Sequence, residues 1–255
     1  MEKELNFRDL GGYQSKDGRI IKYGVLFRSG SLSKASSLDI QELKQLNIHT
    51  VFDLRSVKEA NVAKDPVISN KYLRANPAID NLGQEIDFSG KGIQQRAKQI
   101  EGGLHHVLKV FDHFYESAPF NNQAIRLLLE TLANNEVPLL FHCSAGKDRT
   151  GLMGIIIMLL LDIDESQIIT EYLKTNLVYQ DRIDKRMKQY WPLSKITLVK
   201  NIIYGTEGVL ENYALIVLNS IKEKYHSYEE YFFQEYHLDI QQINQIKDKL
   251  LANIN

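Results

Sequence analysis

FHCSAGKDRTG, residues 141–151, is a polar turn carrying a glycine, set between the apolar runs VPLL and LMGIIIMLLL. VPLLFHC is too short and too apolar for anything but a buried strand, and the run from about Arg149 to Leu161 is long enough for a helix. That helix is apolar on every side, so it belongs in the interior, with its N-terminus opening at the end of a central sheet. A strand that passes through such a turn into a helix aims backbone N–H groups at an anion.

The side chains of the turn fit the same reading. Successive residues on a strand point to opposite faces, so His142 is a poor direct base for Cys143, and a nucleophilic Cys143 needs another source of activation. Helix N-termini and nearby guanidinium groups supply one, bringing thiol pKa values from about 8.5 into a range of roughly 3.5–7.5. Arg149, in the first helical turn, can fold back and fork onto two phosphate oxygens, which a lysine cannot do. Ser144, Ala145, Gly146, Lys147, Asp148 and Arg149 then offer N–H groups to the equatorial oxygens of a transferring phosphoryl group.

Working outward, GYQSKDGRIIKYG predicts a small hairpin turning at Lys16-Asp17-Gly18, and GVLFRSG and HTVFDLRS predict short strands that end in charge. Between those strands SLDIQELKQLN places Ile40, Leu43 and Leu46 at helical spacing behind serine caps. Helical patterns follow from about Gly92 to Tyr115, broken at Gly102-Gly103, and from about Asn122 to Asn134, with Ile125, Leu128, Leu129 and Leu132 on one face. From Glu165 onward almost everything reads as helix. The expected fold is α/β: a central, mostly parallel sheet flanked by helices, with a largely helical C-terminal half. Residues 1–255 read as one domain, and residues 177–205, rich in Arg, Lys, Tyr and Trp, as a helical lid or substrate-facing pair or else as a solvated helix face.

Global composition narrows the function classes. The chain has 255 residues, 44% of them hydrophobic, with 31 basic against 32 acidic side chains. Bulk charge therefore gives no support to nucleic-acid or membrane-surface binding, and an anionic ligand must be held locally. A single cysteine excludes an intramolecular disulfide, a two-cysteine redox cycle and a multi-thiolate metal site. No basic stretch followed by an apolar core opens the chain, and Leu152–Leu161 falls short of the roughly 20 residues that span a bilayer. As it stands the chain reads as cytoplasmic, with export open where a leader has been removed. Gly146-Lys147 is no nucleotide-binding loop, because Asp148 follows and no glycine stands five residues before Gly146.

His142-Cys143-Ser-Ala-Gly-Lys-Asp-Arg149-Thr150-Gly151 resembles the HCxxGxxR[ST]G signature of cysteine-dependent protein tyrosine phosphatases. In its HCxxGKDRTG form it is similar to the bacterial tyrosine/serine phosphatases, described as dual- or triple-specificity. NFRDLGGY at 6–13, DGR at 17–19, LFRSG at 26–30, DLRS at 53–56, EYLKTN at 171–176 and SYEEYF at 227–232 extend the resemblance over nearly the whole chain. It implies a protein tyrosine phosphatase-like fold and a two-step mechanism without a metal or other cofactor. Cys143 attacks phosphorus to give a phosphocysteine, Arg149 binds the phosphoryl oxygens, Thr150 helps the sulfur leave when water hydrolyses the intermediate, and His142 orders the loop.

The proton donor is left open by the resemblance. Tyrosine phosphatases with a WPD loop carry that aspartate before the cysteine, whereas Trp191-Pro192 here lies after it and is followed by Leu193. Asp148, matching the aspartate of HCxxGKDR, is the first candidate. Asp53 at the end of its strand is the second, with Asp80 and Asp87 in AIDNLGQEIDFSG behind them. Arg8, Asp9, Arg28 and Arg55 belong either to a shell around the loop or to an ion-pair network at the sheet edge. Lys147 matches the lysine of inositol-lipid phosphatases with a CxxGKxR loop, or else pairs with an acidic neighbour. The expected partner is a phosphorylated protein or a phosphoinositide, with no nucleic acid and no stable membrane insertion. A catalytically weak phosphate-binding module on the same fold is the rival reading.

Overall fold

The computed structural model describes residues 1, 5–80, 83–88, 92, 95 and 105–254. Its strands, in chain order, are β1 (Arg8–Asp9), β2 (Ile20–Ile21), β3 (Leu26–Ser29), β4 (Thr50–Asp53), β5 (Lys71–Arg74), β6 (Leu139–His142) and β7 (Leu251–Ala252). Its helices are α1 (Ser37–Gln45), α2 (Val57–Val62), α3 (His105–Ser117), α4 (Gln123–Ala133), α5 (Asp148–Leu160), α6 (Glu165–Val178), α7 (Gln180–Gln189), α8 (Thr197–Glu207), α9 (Glu211–Lys224), α10 (Tyr228–Tyr236) and α11 (Ile240–Leu250).

The main sheet runs β1-β3-β6-β4-β5, with β3, β6, β4 and β5 parallel and β1 antiparallel on β3. This is the mostly parallel, helix-flanked α/β sheet that the sequence predicts. The two strands expected around α1 are both present, but they are not neighbours: β6 lies between them. Register then does the positioning. Ser29 and Asp53 both stand opposite His142, so β3, β6 and β4 end level and their following loops emerge side by side. The carboxyl end of a parallel sheet is where α/β folds gather function.

Alternation along the strands sorts two cores. Leu26, Phe52, Leu139 and Phe141 face the larger one, built with α4, α5 and α9, while Phe27, Val51 and Leu140 face a smaller one closed by Leu5, Phe7, Leu32 and Leu43. Helix α5 is buried at every position from Arg149 to Leu160, among α6, α9 and α10. A helix with no polar face has no solvent side, so its N-terminus is delivered to the sheet end in one orientation. Gly151 permits the closest approach: a Cβ there would stand 2.6 Å from the Tyr172 ring of α6.

The hairpin forms where predicted, with Gly18 at φ +90° and its N–H donating to the Ser15 carbonyl. The partner of its second strand is one that the sequence does not predict: β2 pairs antiparallel with β7, tying the N-terminal region to the C-terminal one. The helix expected from about Gly92 to Tyr115 is described from His105, and the Gly102-Gly103 break lies outside the described residues. α4 buries Ile125, Leu128, Leu129 and Leu132 as its periodicity requires, behind an Asn122 cap whose side chain accepts from the Ala124 N–H. Among the described residues no helix is long and apolar enough to cross a membrane.

Because α5 is enclosed on all sides, Ile156→Ala is expected to cost about 2–5 kcal/mol. Ile240→Ala, at a position 52% exposed, should stay within about 0.5 kcal/mol. Urea midpoints of the two variants check this, and equal shifts would contradict the burial of α5.

Candidate active site

The loop between β6 and α5 has its carbonyl groups turned outward and tied down. The Ser144 carbonyl accepts from the Ser31 N–H (3.3 Å), the Ala145 carbonyl from the Tyr179 hydroxyl (2.6 Å), and the Gly146 carbonyl from Asn6 Nδ2 and Arg28 (2.9 Å each). Among the described residues the N–H groups of Ser144, Ala145, Gly146, Lys147 and Asp148 meet no acceptor. A loop whose carbonyls all point out has its amide dipoles converging inward, which makes a nest for an anion at the N-terminus of α5. Gly146 makes the turn possible, at φ +66°, and a Cβ there would stand 2.7 Å from the Gly30 nitrogen and the Ser29 carbonyl. Cys143, 3% exposed, lies at the foot of this nest.

Arg149 is held in place by a residue that the sequence reading did not single out. Glu59, on α2, takes both of its terminal nitrogens, at 2.6 and 2.8 Å, and accepts from the Ser144 hydroxyl (2.6 Å) and the Ser56 N–H (3.0 Å). Burial would raise the Glu59 carboxyl, but the Arg149 guanidinium and these donors win and hold it at about 2. Arg149 is buried and remains a cation, with its own pKa raised by the same pair. Glu59 occupies only the edge formed by the two terminal nitrogens. A guanidinium held by that edge can still fork onto an oxyanion through its Nε side, and the Phe88 ring lies 5.5 Å from the guanidinium carbon. The sequence did carry a signal for Glu59: Ser56-Val-Lys-Glu59, directly after DLR, is a capping box, and both of its hydrogen bonds are present.

The other loop residues have distinct surroundings. Asp148 is half-buried, and its Oδ1 accepts from the Tyr115 hydroxyl (3.1 Å), which in turn accepts from Tyr172 (2.9 Å). Two buried tyrosines thus orient the carboxylate. The Thr150 hydroxyl is fully buried and has no partner among the described residues. Lys147 is buried and donates from Nζ to the Thr206 carbonyl in the last turn of α8 (2.7 Å); burial lowers its pKa against the pull of Asp148 and Glu207. Neither a bare rim position nor a carboxylate partner describes it: Lys147 links the loop to the helix pair.

Two buried ion networks brace the nest. On one side Arg28 donates to Glu171 (2.7 Å), which also accepts from Arg8 (2.6 Å), while Arg8 donates to Asn6 (2.6 Å). Burial, with Arg8 beside it, pushes Arg28 down to about 10, and Arg28 remains charged at neutral pH. On the other side Arg55 binds Asp53 through two nitrogens (2.8 and 2.9 Å), Asp65, the Ser31 hydroxyl (2.9 Å) and the Ala63 carbonyl (2.7 Å). Burial raises Asp53, but Arg55 and His142 outweigh it and hold the carboxyl below its usual range. His142 is fully buried. Burial pushes the imidazole down, its Nε2 lies 3.4 Å from Asp65, and its Nδ1 lies 3.4 Å from the Cys143 carbonyl. Asp53, Asp65 and His142 bring atoms that could ligate a metal within 4.8 Å of one another, yet both carboxylates are already paired with Arg55.

Of the residues expected at the site, Cys143, Ser144 through Arg149 and Thr150 are brought together. Asp53, Arg55 and His142 form the network beneath, and Arg8 and Arg28 belong to the opposite brace. Asp9 instead accepts from the Gly11 and Gly24 N–H groups. Asp87 directly precedes Phe88 and lies 3.9 Å from Lys58, while Asp80 sits in a tight turn, its carboxylate accepting from the Gln84 N–H. Besides Glu59, the sequence reading missed Tyr115, Tyr172, Asp65 and the hydrogen bond of Tyr179. Asn6 and Glu171 were inside quoted motifs without a role.

A thiol at the foot of an inward N–H nest, on the N-terminus of a buried helix and beside a fixed guanidinium, is an arrangement suited to holding an anion next to a nucleophile. The model of the tyrosine phosphatase family matches residues 1–252, and the chain belongs to that family. It is 26% identical over 246 residues to the triple specificity protein phosphatase PtpB of Mycobacterium tuberculosis, covering 87% of this chain and 88% of that one. It is also 28% identical over 171 residues to a candidate tyrosine-protein phosphatase of Cupriavidus necator, covering 67% of this chain and 60% of that protein. Among solved structures it overlaps the core catalytic domain of the Saccharomyces cerevisiae PP-IP phosphatase Siw14 at a TM-score of 0.33 and 16% identity, covering 76% of this chain and 90% of that one.

Because the folded-state pKa of Glu59 lies below its unfolded value, its contribution to stability is present above about pH 4.5 and is lost as the pH falls toward 2. From the size of the shift that contribution is on the order of 3 kcal/mol. Glu59→Gln should be less stable than wild type at pH 7, and the two should converge by pH 2 to 3. Chemical denaturation across that range tests it, and a constant gap would contradict the pairing.

Proposed function

We propose that the chain is a phosphomonoester hydrolase acting as a protein tyrosine phosphatase of broad specificity, through a phosphocysteine on Cys143. The observation that carries this is the inward N–H nest with Cys143 at its foot and Arg149 fixed by Glu59 through its two terminal nitrogens. The catalytic unit is one domain spanning the chain, with residues 177–205 as a substrate-facing helix pair.

In the first step the Cys143 sulfur attacks phosphorus in line, the S–P bond forms and the bond to the leaving oxygen breaks. The equatorial oxygens are stabilised by the N–H groups of Ser144 through Arg149 and by the Arg149 guanidinium. Asp148 delivers a proton to the leaving oxygen, its carboxyl oriented by the Tyr115 hydroxyl at Oδ1. It is preferred over Asp53, which would have to give up Arg55 to serve as a donor. In the second step Asp148 takes a proton from the attacking water, the S–P bond breaks, and the buried Thr150 hydroxyl donates to the departing sulfur. His142 and Arg55 act as positioning residues below the loop.

Phosphotyrosine is the favoured substrate, with phosphoserine, phosphothreonine and phosphoinositides as further ones. The name of the mycobacterial relative, a triple specificity protein phosphatase, supports that breadth. A role for Lys147 at a second phosphate of an inositol headgroup requires it to leave the Thr206 carbonyl, so Lys147→Met should affect phosphoinositides more than phosphotyrosine peptides.

Cys143→Ser is expected to abolish phosphate release from a phosphotyrosine peptide while inorganic phosphate still binds in calorimetry. Asp148→Asn should slow phosphoserine cleavage by roughly 10²–10⁴-fold, with a far smaller effect on an aryl phosphate whose leaving group needs no proton. Equal losses on both would remove Asp148 from the acid role. Undiminished turnover by Cys143→Ser would end the phosphocysteine mechanism.

A further inference from the structure

The helix pair α7–α8 ends in a tip unlike the rest of the surface. Tyr190 and Trp191 follow α7, Leu193 and Ile196 lie in the connection and Leu198 starts α8. All five are exposed, Trp191 by 64% and Leu193 by 56%, while the pair packs inward through Ile183, Ile202 and Ile203. Their exposure therefore serves no packing need, and large apolar side chains clustered on a surface mark an interaction site. The charges around them are one-sided. Residues 185–200 hold Lys185, Arg186, Lys188, Lys195 and Lys200 and no acidic residue, in a chain with 31 basic and 32 acidic side chains in all. Arg186 pairs with Glu207 (2.7 Å). Among the described residues Lys185, Lys188, Lys195 and Lys200 have no carboxylate partner, and Lys195 lies 4.3 Å above the Trp191 ring.

We propose that this tip is a membrane-interface anchor that docks the protein on anionic phospholipid bilayers. Tryptophan and tyrosine favour the headgroup region, short apolar side chains at a turn can enter the acyl boundary, and flanking lysines are drawn to anionic headgroups. A protruding helix-turn-helix tip suits a deformable interface, whereas a protein partner would need a groove shaped for it; the charge complement of four unpaired lysines is an anionic sheet. The anchor reaches the phosphate-binding loop through both roots of the pair: the Tyr179 hydroxyl donates to the Ala145 carbonyl (2.6 Å), and Lys147 donates to the Thr206 carbonyl (2.7 Å). Docking the tip would thus hold the nest at a set height above the bilayer. Net charge near zero does not oppose this, because the acidic residues of the pair, Asp181, Asp184 and Glu207, lie at its root ends, outside residues 185–200, and a Debye length of about 10 Å at 0.1 M salt keeps the patch local.

Trp191 is the only tryptophan of the chain, so its emission reports on the tip alone. Full-length protein is mixed with vesicles of phosphatidylcholine, with and without phosphatidylglycerol. The anionic vesicles should shift the emission to the blue, brominated acyl chains should quench it, and salt should weaken both effects. Replacing Lys185, Lys188, Lys195 and Lys200 by Gln together should reduce partitioning by about two orders of magnitude or more, at roughly fivefold per lysine. Circular dichroism of that variant should be unchanged. Cys143→Ser should bind vesicles like wild type, so that failure of docking and failure of the catalytic reading are told apart. Unshifted emission on anionic vesicles overturns the proposal, as does an equal shift with phosphatidylcholine alone. A shift on polyglutamate but not on vesicles would assign the tip to an acidic protein, and a concentration-dependent shift without lipid to a second copy of the chain; either also overturns it.

Discussion

The outward hold on the carbonyl groups of Ser144, Ala145 and Gly146 is the constraint on which the site depends. Peptide carbonyls and N–H groups point in opposite directions, so N–H dipoles can converge on an anion only if something outside the loop accepts the cost of facing the oxygens. Here Ser31, Tyr179, Asn6 and Arg28 do so, from three separate segments of the chain. Desolvating a guanidinium such as Arg28 is expensive, and burying a charged pair is weak evidence for stability. The return is positional: Glu171 compensates Arg28 on the side away from the loop and leaves one nitrogen for the Gly146 carbonyl. A cation directly under the nest also adds to the attraction that the helix terminus exerts on a phosphate.

Glu59 shows the same logic on the other wall. An arginine that must fork onto phosphate has more freedom than the task allows, and its rotamer entropy would be lost on each binding event. Fixing the terminal edge with a carboxylate removes that freedom in advance and leaves the Nε edge uncommitted to Glu59. The carboxylate also offsets part of the charge, so affinity for the phosphoryl group rests more on the N–H nest and the α5 terminus than on a bare guanidinium. In the proposed reaction this favours release of the product phosphate, which an unopposed buried arginine would retain.

The contiguous parts of this arrangement are the legible ones. The strand, loop and helix from Leu139 to Leu160 can be read from the sequence because local pattern and local chemistry coincide there: a short apolar run, a glycine needed at positive φ, and a helix with no polar face. The partners brought from afar cannot be read in this way. Glu59 is 90 positions from Arg149, and Tyr115 is 33 from Asp148. Nothing in the periodicity of their own helices distinguishes them from ordinary helix residues. Glu59 carries a clue in its capping box, but that clue explains a helix start, and only the register of β4 beside β6 turns it into a site residue. The order of the strands is hidden for the same reason, since β6 inserts between β3 and β4 only after more than eighty residues of intervening chain.

Neutral overall charge argues against charged surfaces only as an average, and the structure shows why such an average misleads. Acidic and basic side chains are spent in equal number in the buried networks: Glu59 with Arg149, Glu171 with Arg8 and Arg28, Asp53 and Asp65 with Arg55. The charges that remain are unevenly placed along the chain, so a segment with five basic residues and no acidic one stands out locally even when the total is −1. Net charge counts residues, whereas a partner meets only those that remain unpaired and exposed. The anchoring of α7 and α8 to Ala145 and Lys147 gives that local excess a mechanical connection to the nest, because any force on the tip is carried into two of the residues that form the loop.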